Sequence, residues 1–159
     1  MSLPIDDLQP GDIRCSKFRK LTMARALALS GGPLDMPGWP DKNLHTDAEV
    51  ARSTGLPDVV VSGTQWEGHL VGLLVETLGM DWFNGGSIQI KIPRSVRIGD
   101  SVRAKLRMDE FVDQGDRRLA RMTVWCENKQ GQEVMVGTAE CAVSRAARGH
   151  DKVEQIESA

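Results

Sequence analysis

The strongest apolar pattern in the chain runs through Trp66, Leu70, Leu73, Leu74 and Leu78, spaced i, i+4, i+7, i+8 and i+12, so these side chains share one face of a helix. Val71 and Val75 widen the stripe, which predicts a helix covered on most sides. Thr64-Gln65-Trp66-Glu67 at its start fits a capping box. After Asn84-Gly85-Gly86 the period changes to two. Ile88, Ile90 and Ile92 alternate with polar residues in a first half-buried strand. Val102, Ala104, Leu106 and Met108 mark a second, and Ala120, Met122, Val124 and Cys126 a third. Met135, Gly137, Ala139, Cys141 and Val143 share one face of a fourth. The polar segments 113–116 and 128–131 read as hairpin turns, so the last three strands are expected to form an antiparallel meander.

Upstream of the long helix the pattern is more broken. Turn residues at Leu8 to Asp12 lead into a short alternating segment, Ile13 to Phe18, which suits an edge strand. Thr22 caps a predicted helix over Met23 to Leu29, which Ser30-Gly31-Gly32-Pro33 ends. An irregular loop rich in proline and glycine follows as far as Asn43. Thr46-Asp47-Ala48-Glu49 then opens a second helix, with Thr46 as the expected cap and an end near Gly55. One buried helix followed by hairpin-linked strands is an α+β arrangement in which the sheet wraps the helix to bury both apolar surfaces. The expected organisation is a single domain over residues 1–145 with a mobile polar tail over 146–159.

Composition narrows the function classes. With 20 basic and 22 acidic residues the formal net charge is −2, and both signs are scattered along the chain, so nucleic acid is not the expected partner. The start lacks an apolar leader and no run is long enough to span a bilayer, so neither export nor membrane insertion is expected. Cys15, Cys126 and Cys141 are odd in number and widely spaced, which predicts no disulfide framework and no zinc site. A reducing, cytoplasmic setting fits.

Two segments carry candidate chemistry. His45 ends the Pro- and Gly-rich loop within Asp41-Lys42-Asn43-Leu44-His45-Thr46-Asp47, immediately before a capped helix. That position holds an imidazole rigidly and leaves it open to a ligand, with a carboxylate four residues away to share proton transfer. The same residues also fit a plain helix N-terminus, where Asp47 and Glu49 favour the dipole. In the second segment, Val59-Val60-Val61-Ser62-Gly63-Thr64, an extended run delivers Gly63 to the start of the long helix. Free N–H groups there, unobstructed by a side chain, meet the requirements of an oxyanion hole, and they equally fit a simple turn.

Taken in order, residues 41–47, then Gly55-Leu56-Pro57, then Val61-Ser62-Gly63 resemble the MaoC-like dehydratases, whose hydratase motif runs D-x-N-P-x-H-x-D before an H-G or S-G element at the central helix. The likeness extends over about residues 8–143, through the Val96 to Asp100 turn and the strand at Val136-Gly137-Thr138-Ala139. It implies the hotdog fold, an antiparallel sheet wrapped around a long central helix. It also implies a hydro-lyase of fatty acid metabolism that acts on an acyl-CoA thioester and assembles as a homodimer. By position, His45 takes the catalytic histidine role and the Gly63 N–H holds the thioester oxygen, with Ser62 and Asn43 as further substrate contacts. Asp41 stands for the catalytic acid, although the family's acid precedes its histidine by five residues, where Pro40 stands here. Either a loop shorter by one residue still brings Asp41 to the site, or the acid is missing. The first case gives a hydratase; the alternatives are a hotdog thioesterase and a non-catalytic acyl-CoA-binding subunit. The chemistry requires no metal and no redox cofactor.

Overall fold

The computed structural model of the chain describes residues 5–144. A 3-10 turn at Ile5–Asp7 precedes β1 (Ile13–Cys15), β2 (Arg19–Lys20), α1 (Met23–Ser30) and α2 (Ala48–Ser53). The long helix α3 (Gly63–Leu78) runs into α4 (Met80–Gly85), and the sheet is completed by β3 (Gly86–Lys91), β4 (Ser101–Gln114), β5 (Arg117–Asn128) and β6 (Glu133–Ser144). The tail predicted over 146–159 lies outside the described residues.

All strand pairs are antiparallel, in the order β1-β4-β5-β6-β3, with β2 also pairing to β4. The meander predicted for the last three strands is therefore present, and the first predicted strand lies at a sheet edge. The alternation works as expected: Val102, Ala104, Leu106 and Met108 of β4 and Ala120, Met122, Val124 and Cys126 of β5 are buried. They meet Trp66, Leu70, Leu73, Leu74 and Leu78 of α3 in one apolar cluster. The opposite faces carry ion pairs such as Arg103 to Glu127 and Arg121 to Glu110 and Glu140.

One local expectation is corrected. The alternation predicted through Ile92 stops at Lys91, because Pro93 has no N–H to extend the ladder. Ile92 is instead 48% exposed. Residues 80–85 form α4, an element for which the sequence pattern carried no expectation, set off from α3 by Gly79 at φ 61°. The cover predicted for α3 is present: its exposed residues, Thr64, Gly68, Gly72 and Glu76, form one narrow stripe, and Val71 and Val75 are half-buried.

Candidate active site

The loop between α1 and α2 is held by its own polar groups. Asn43 Nδ2 donates to the Ser30 carbonyl at the end of α1 (2.7 Å), and the Asp41 N–H donates to the Gly31 carbonyl (2.8 Å). Thr46 Oγ1 donates to the Asp41 carbonyl (2.6 Å) and accepts from the Asn43 N–H (3.0 Å). This use of its hydroxyl explains why Thr46 is not the cap of α2. Asp47 caps that helix instead, its Oδ1 accepting from the Glu49 and Val50 N–H groups at 2.9 and 3.0 Å. The bond from Val50 is the main reason the Asp47 carboxyl is held below its ordinary pKa; Glu49 and Lys42 add to it against a smaller opposing effect of burial.

His45 is fixed from two sides. Its N–H donates to Asn43 Oδ1 (2.9 Å), and its Nδ1 lies 2.8 Å from the Val60 carbonyl. A carbonyl only accepts, so Nδ1 carries the proton, and in the neutral ring Nε2 presents a lone pair. Val60 belongs to the extended run Val59 to Val61, which is buried and tied down by Val60 N–H to the Leu44 carbonyl and Val61 N–H to the Val96 carbonyl. Gly63 follows three residues after Val60, a span of roughly 10 Å at most in extended chain. The imidazole anchor and the start of α3 are therefore parts of one short segment.

At that helix start no side chain caps the backbone. The capping box expected from Thr64 and Glu67 does not form: the helix begins at Gly63 with Ser62 in the cap position, which puts Thr64 inside the first turn, its Oγ1 2.8 Å from Ser62 Oγ. The Gly63 and Thr64 N–H groups have no acceptor among the described residues. They remain available to a negatively polarised oxygen. A Cβ on Gly63 would meet Ile92 Cδ1, the free end of a side chain that is 48% exposed and can swing aside, so packing alone does not require glycine there. Within the first two turns of α3, Gln65 Oε1, Trp66 Nε1 and His69 Nδ1 are buried without a partner among the described residues, an unusual concentration of unsatisfied polar atoms.

The predicted site residues thus fall into two groups. His45, Asn43, Ser62 and Gly63 gather around the Val60 segment, although the Asn43 amide is engaged at both ends and holds the loop. Asp41 shares the loop through its main chain, while its carboxylate is exposed and makes no hydrogen bond or ion pair among the described residues. Of the apolar residues considered for a pocket, Trp66 and Trp82 are core, and Met36 and Trp39 are half-buried in the loop. The role of the Val60 carbonyl had no sequence signal, since it is a main-chain group. No cluster of His, Cys, Asp or Glu suited to a metal ion occurs among the described residues.

The sequence matches no family model and no curated protein. Solved structures do match. The MaoC-like dehydratase from Rhodospirillum rubrum superposes with a TM-score of 0.72 at 23% identity, covering 91% of this chain and 99% of its own. The (R)-hydratase from A. caviae involved in PHA biosynthesis gives 0.66 at 19% identity, with 86% and 98% covered. A Mycobacterium tuberculosis protein described as having a double hotdog fold gives 0.69 at 14% identity, with 92% of this chain against 46% of that one. The chain has the hotdog fold.

Proposed function

We propose that the chain is a hydro-lyase of the MaoC-like type that adds water to, or removes it from, an enoyl thioester of coenzyme A. The observation that carries this reading is the pairing of a directed imidazole with unused helix N–H groups on one segment: the Val60 carbonyl orients His45, and Gly63 opens α3 three residues later. In hydration, the oxygen of water bonds to C3 of the enoyl group and its proton passes to His45 Nε2. The C2=C3 electron pair moves toward the thioester oxygen, which the Gly63 N–H stabilises. When the carbonyl reforms, C2 takes a proton from Asp41 acting as the acid, and the proton on His45 restores the carboxyl. The fold likeness to a dehydratase and to an (R)-hydratase supports the same chemistry.

The experiment is incubation with crotonyl-CoA. Loss of the enoyl absorbance without release of free thiol is the expected result; thiol release would make the protein a thioesterase. A second reading, a subunit that binds acyl-CoA without turning it over, is favoured by the free, exposed Asp41 carboxylate. It predicts calorimetric binding of crotonyl-CoA with no change in absorbance.

The assembly we propose is a homodimer joined at β3. That strand ends the sheet and pairs only with β6 among the described strands, an open edge that invites pairing. Near it in sequence, Met80, Phe83 and Ile92 are 70%, 65% and 48% exposed. Light scattering at micromolar concentration should give twice the monomer mass. A monomeric mass would count against an interface there.

A further inference from the structure

Between Asp12 and Asp35 the chain contains no acidic residue but five basic ones, Arg14, Lys17, Arg19, Lys20 and Arg25. The fold turns this local imbalance into a site. The segment from Lys17 to Lys20 packs beside the first turn of α1 and leaves a concavity of about 510 Å³, lined by Lys17, Phe18, Arg19, Lys20, Thr22 and Arg25. Its four cations make no ion pair with any described carboxylate, unlike Arg103, Lys105, Arg107 and Arg121 on the sheet. The first turn of α1 also lacks an acidic residue, so the positive end of the helix faces cations rather than the carboxylates that would stabilise it. Without an anion these charges repel one another. An anion placed among them relieves that repulsion and gains charge-assisted hydrogen bonds.

Phe18 supplies a different kind of contact. It is 38% exposed, and the Arg103 guanidinium stacks 4.6 Å from the centre of its ring. An aromatic ring among cations suits a ligand that carries both phosphate and a planar base. On the α3 side, burial and the nearby charges of Arg19 and Arg25 hold half-buried His69 below its ordinary pKa.

Two elements connect this concavity to the His45 segment. Helix α1, about 12 Å long at 1.5 Å per residue, begins at the concavity and ends where Asn43 bonds the Ser30 carbonyl. On α3, His69 lies six residues beyond Gly63, about 9 Å along the axis. We propose that this concavity binds the phosphorylated nucleotide end of the thioester carrier, with Lys17, Arg19, Lys20 and Arg25 on phosphate and Phe18 against the base. The assignment rests on the thioester reading of the His45 segment, but the site itself is testable without turnover.

The full chain is titrated at low salt with adenosine 3′,5′-bisphosphate and, separately, with inorganic phosphate, by calorimetry and thermal melting. The bisphosphate should bind, raise the melting temperature and outcompete inorganic phosphate. The R19Q/K20Q double variant should lose at least tenfold in bisphosphate affinity, and its ligand-free melting temperature should not fall, since two repelling charges are gone. Unchanged affinity in that variant overturns the site. Equal affinity for both ligands overturns the nucleotide assignment, and so does equally tight, equally R19Q/K20Q-sensitive binding of a short single-stranded oligonucleotide. If crotonyl-CoA is turned over, R19Q/K20Q should raise its KM at least tenfold, a penalty absent for the phosphate-free N-acetylcysteamine thioester. An equal loss on both substrates overturns the proposal. If crotonyl-CoA is not turned over but the bisphosphate binds and the variant loses it, the site stands while the hydratase reading fails.

Discussion

The β4–β5–β6 sheet and the loop that carries His45 are fixed by different forces. In the sheet, alternate side chains such as Leu106, Met108, Met122 and Val124 are sealed against α3, and burial of apolar surface holds the register. In the loop, residues 41–47 are half-buried or exposed, and their position depends on directed bonds: Asn43 to Ser30, Thr46 to Asp41, and His45 to Val60. Apolar packing tolerates a lost methylene with a graded cost, whereas a directed bond sets an angle. The loop is therefore where a substitution should alter chemistry with little effect on folding, and the sheet is where the reverse should hold.

The largest test of that contrast is His45→Ala. Removing a general base should lower kcat/KM for crotonyl-CoA by about 10²- to 10⁴-fold, roughly 3 to 5 kcal/mol of transition-state stabilisation. The melting temperature should change little, since the ring makes one hydrogen bond and is only half-buried. Near-wild-type hydration by this variant would remove His45 from the mechanism. The mirror experiment is Leu74→Ala, which empties a fully buried position in α3. It should cost about 2 to 5 kcal/mol in denaturant unfolding. The folded fraction should keep its kcat/KM, because Leu74 lies eleven residues beyond Gly63 on the core side. A fall in specific activity as large as that of His45→Ala would break the separation between the regions.

Asn43→Ala sits between these extremes. It takes away the acceptor for the His45 N–H and the donor to the Ser30 carbonyl, both partly buried, at a cost of about 1 to 3 kcal/mol. Activity and stability should fall together, and Asn43→Asp should restore the bond to His45 but not the one to Ser30. If Asn43→Ala alters KM alone, Asn43 contacts substrate and is not a support for the loop.

What could be read from the sequence follows the same division. Where one face of an element is buried, periodicity is imposed by packing and can be read back, as in α3 and the three long strands. Elements without a buried stripe left no such trace. β2 is two exposed charged residues held only by pairing with β4, and α4 exposes Met80 and Phe83 while burying Trp82. The position of His45 was legible, but the cap beside it was assigned to Thr46 rather than Asp47. Two adjacent residues both satisfied the local pattern, and the tertiary bond from Thr46 to the Asp41 carbonyl decided between them. The capping box at Thr64 failed because the helix starts one residue earlier, at Gly63, which leaves Thr64 inside it. The basic concavity had a local signal, the acid-free span from 13 to 34, which a whole-chain charge balance conceals.

The smallest effects concern the two carboxylates of the loop, and they decide which one is the acid. Asp47 is committed to α2, and its folded pKa is lowered from the ordinary 3.8 by the bonds it accepts, chiefly from Val50. A lowered folded pKa stabilises the protein above the unfolded value, and that contribution disappears as pH falls through the folded one. Asp47→Asn should therefore weaken the dependence of melting temperature on pH below about 4, with a small loss of stability at neutral pH. Asp41 makes no side-chain bond among the described residues, so Asp41→Asn should leave the melting temperature at neutral pH nearly unchanged. The difference in activity should run the other way. If Asp41 is the acid, Asp41→Asn lowers kcat/KM on crotonyl-CoA by about a hundredfold or more while Asp47→Asn changes it little. Because Asp41 and His45 would act as one unit, the double variant of Asp41→Asn with His45→Ala should be little worse than either alone. Losses that instead multiply would place Asp41 outside the proton path, and full activity in Asp41→Asn would leave His45 working without a carboxylate from this loop.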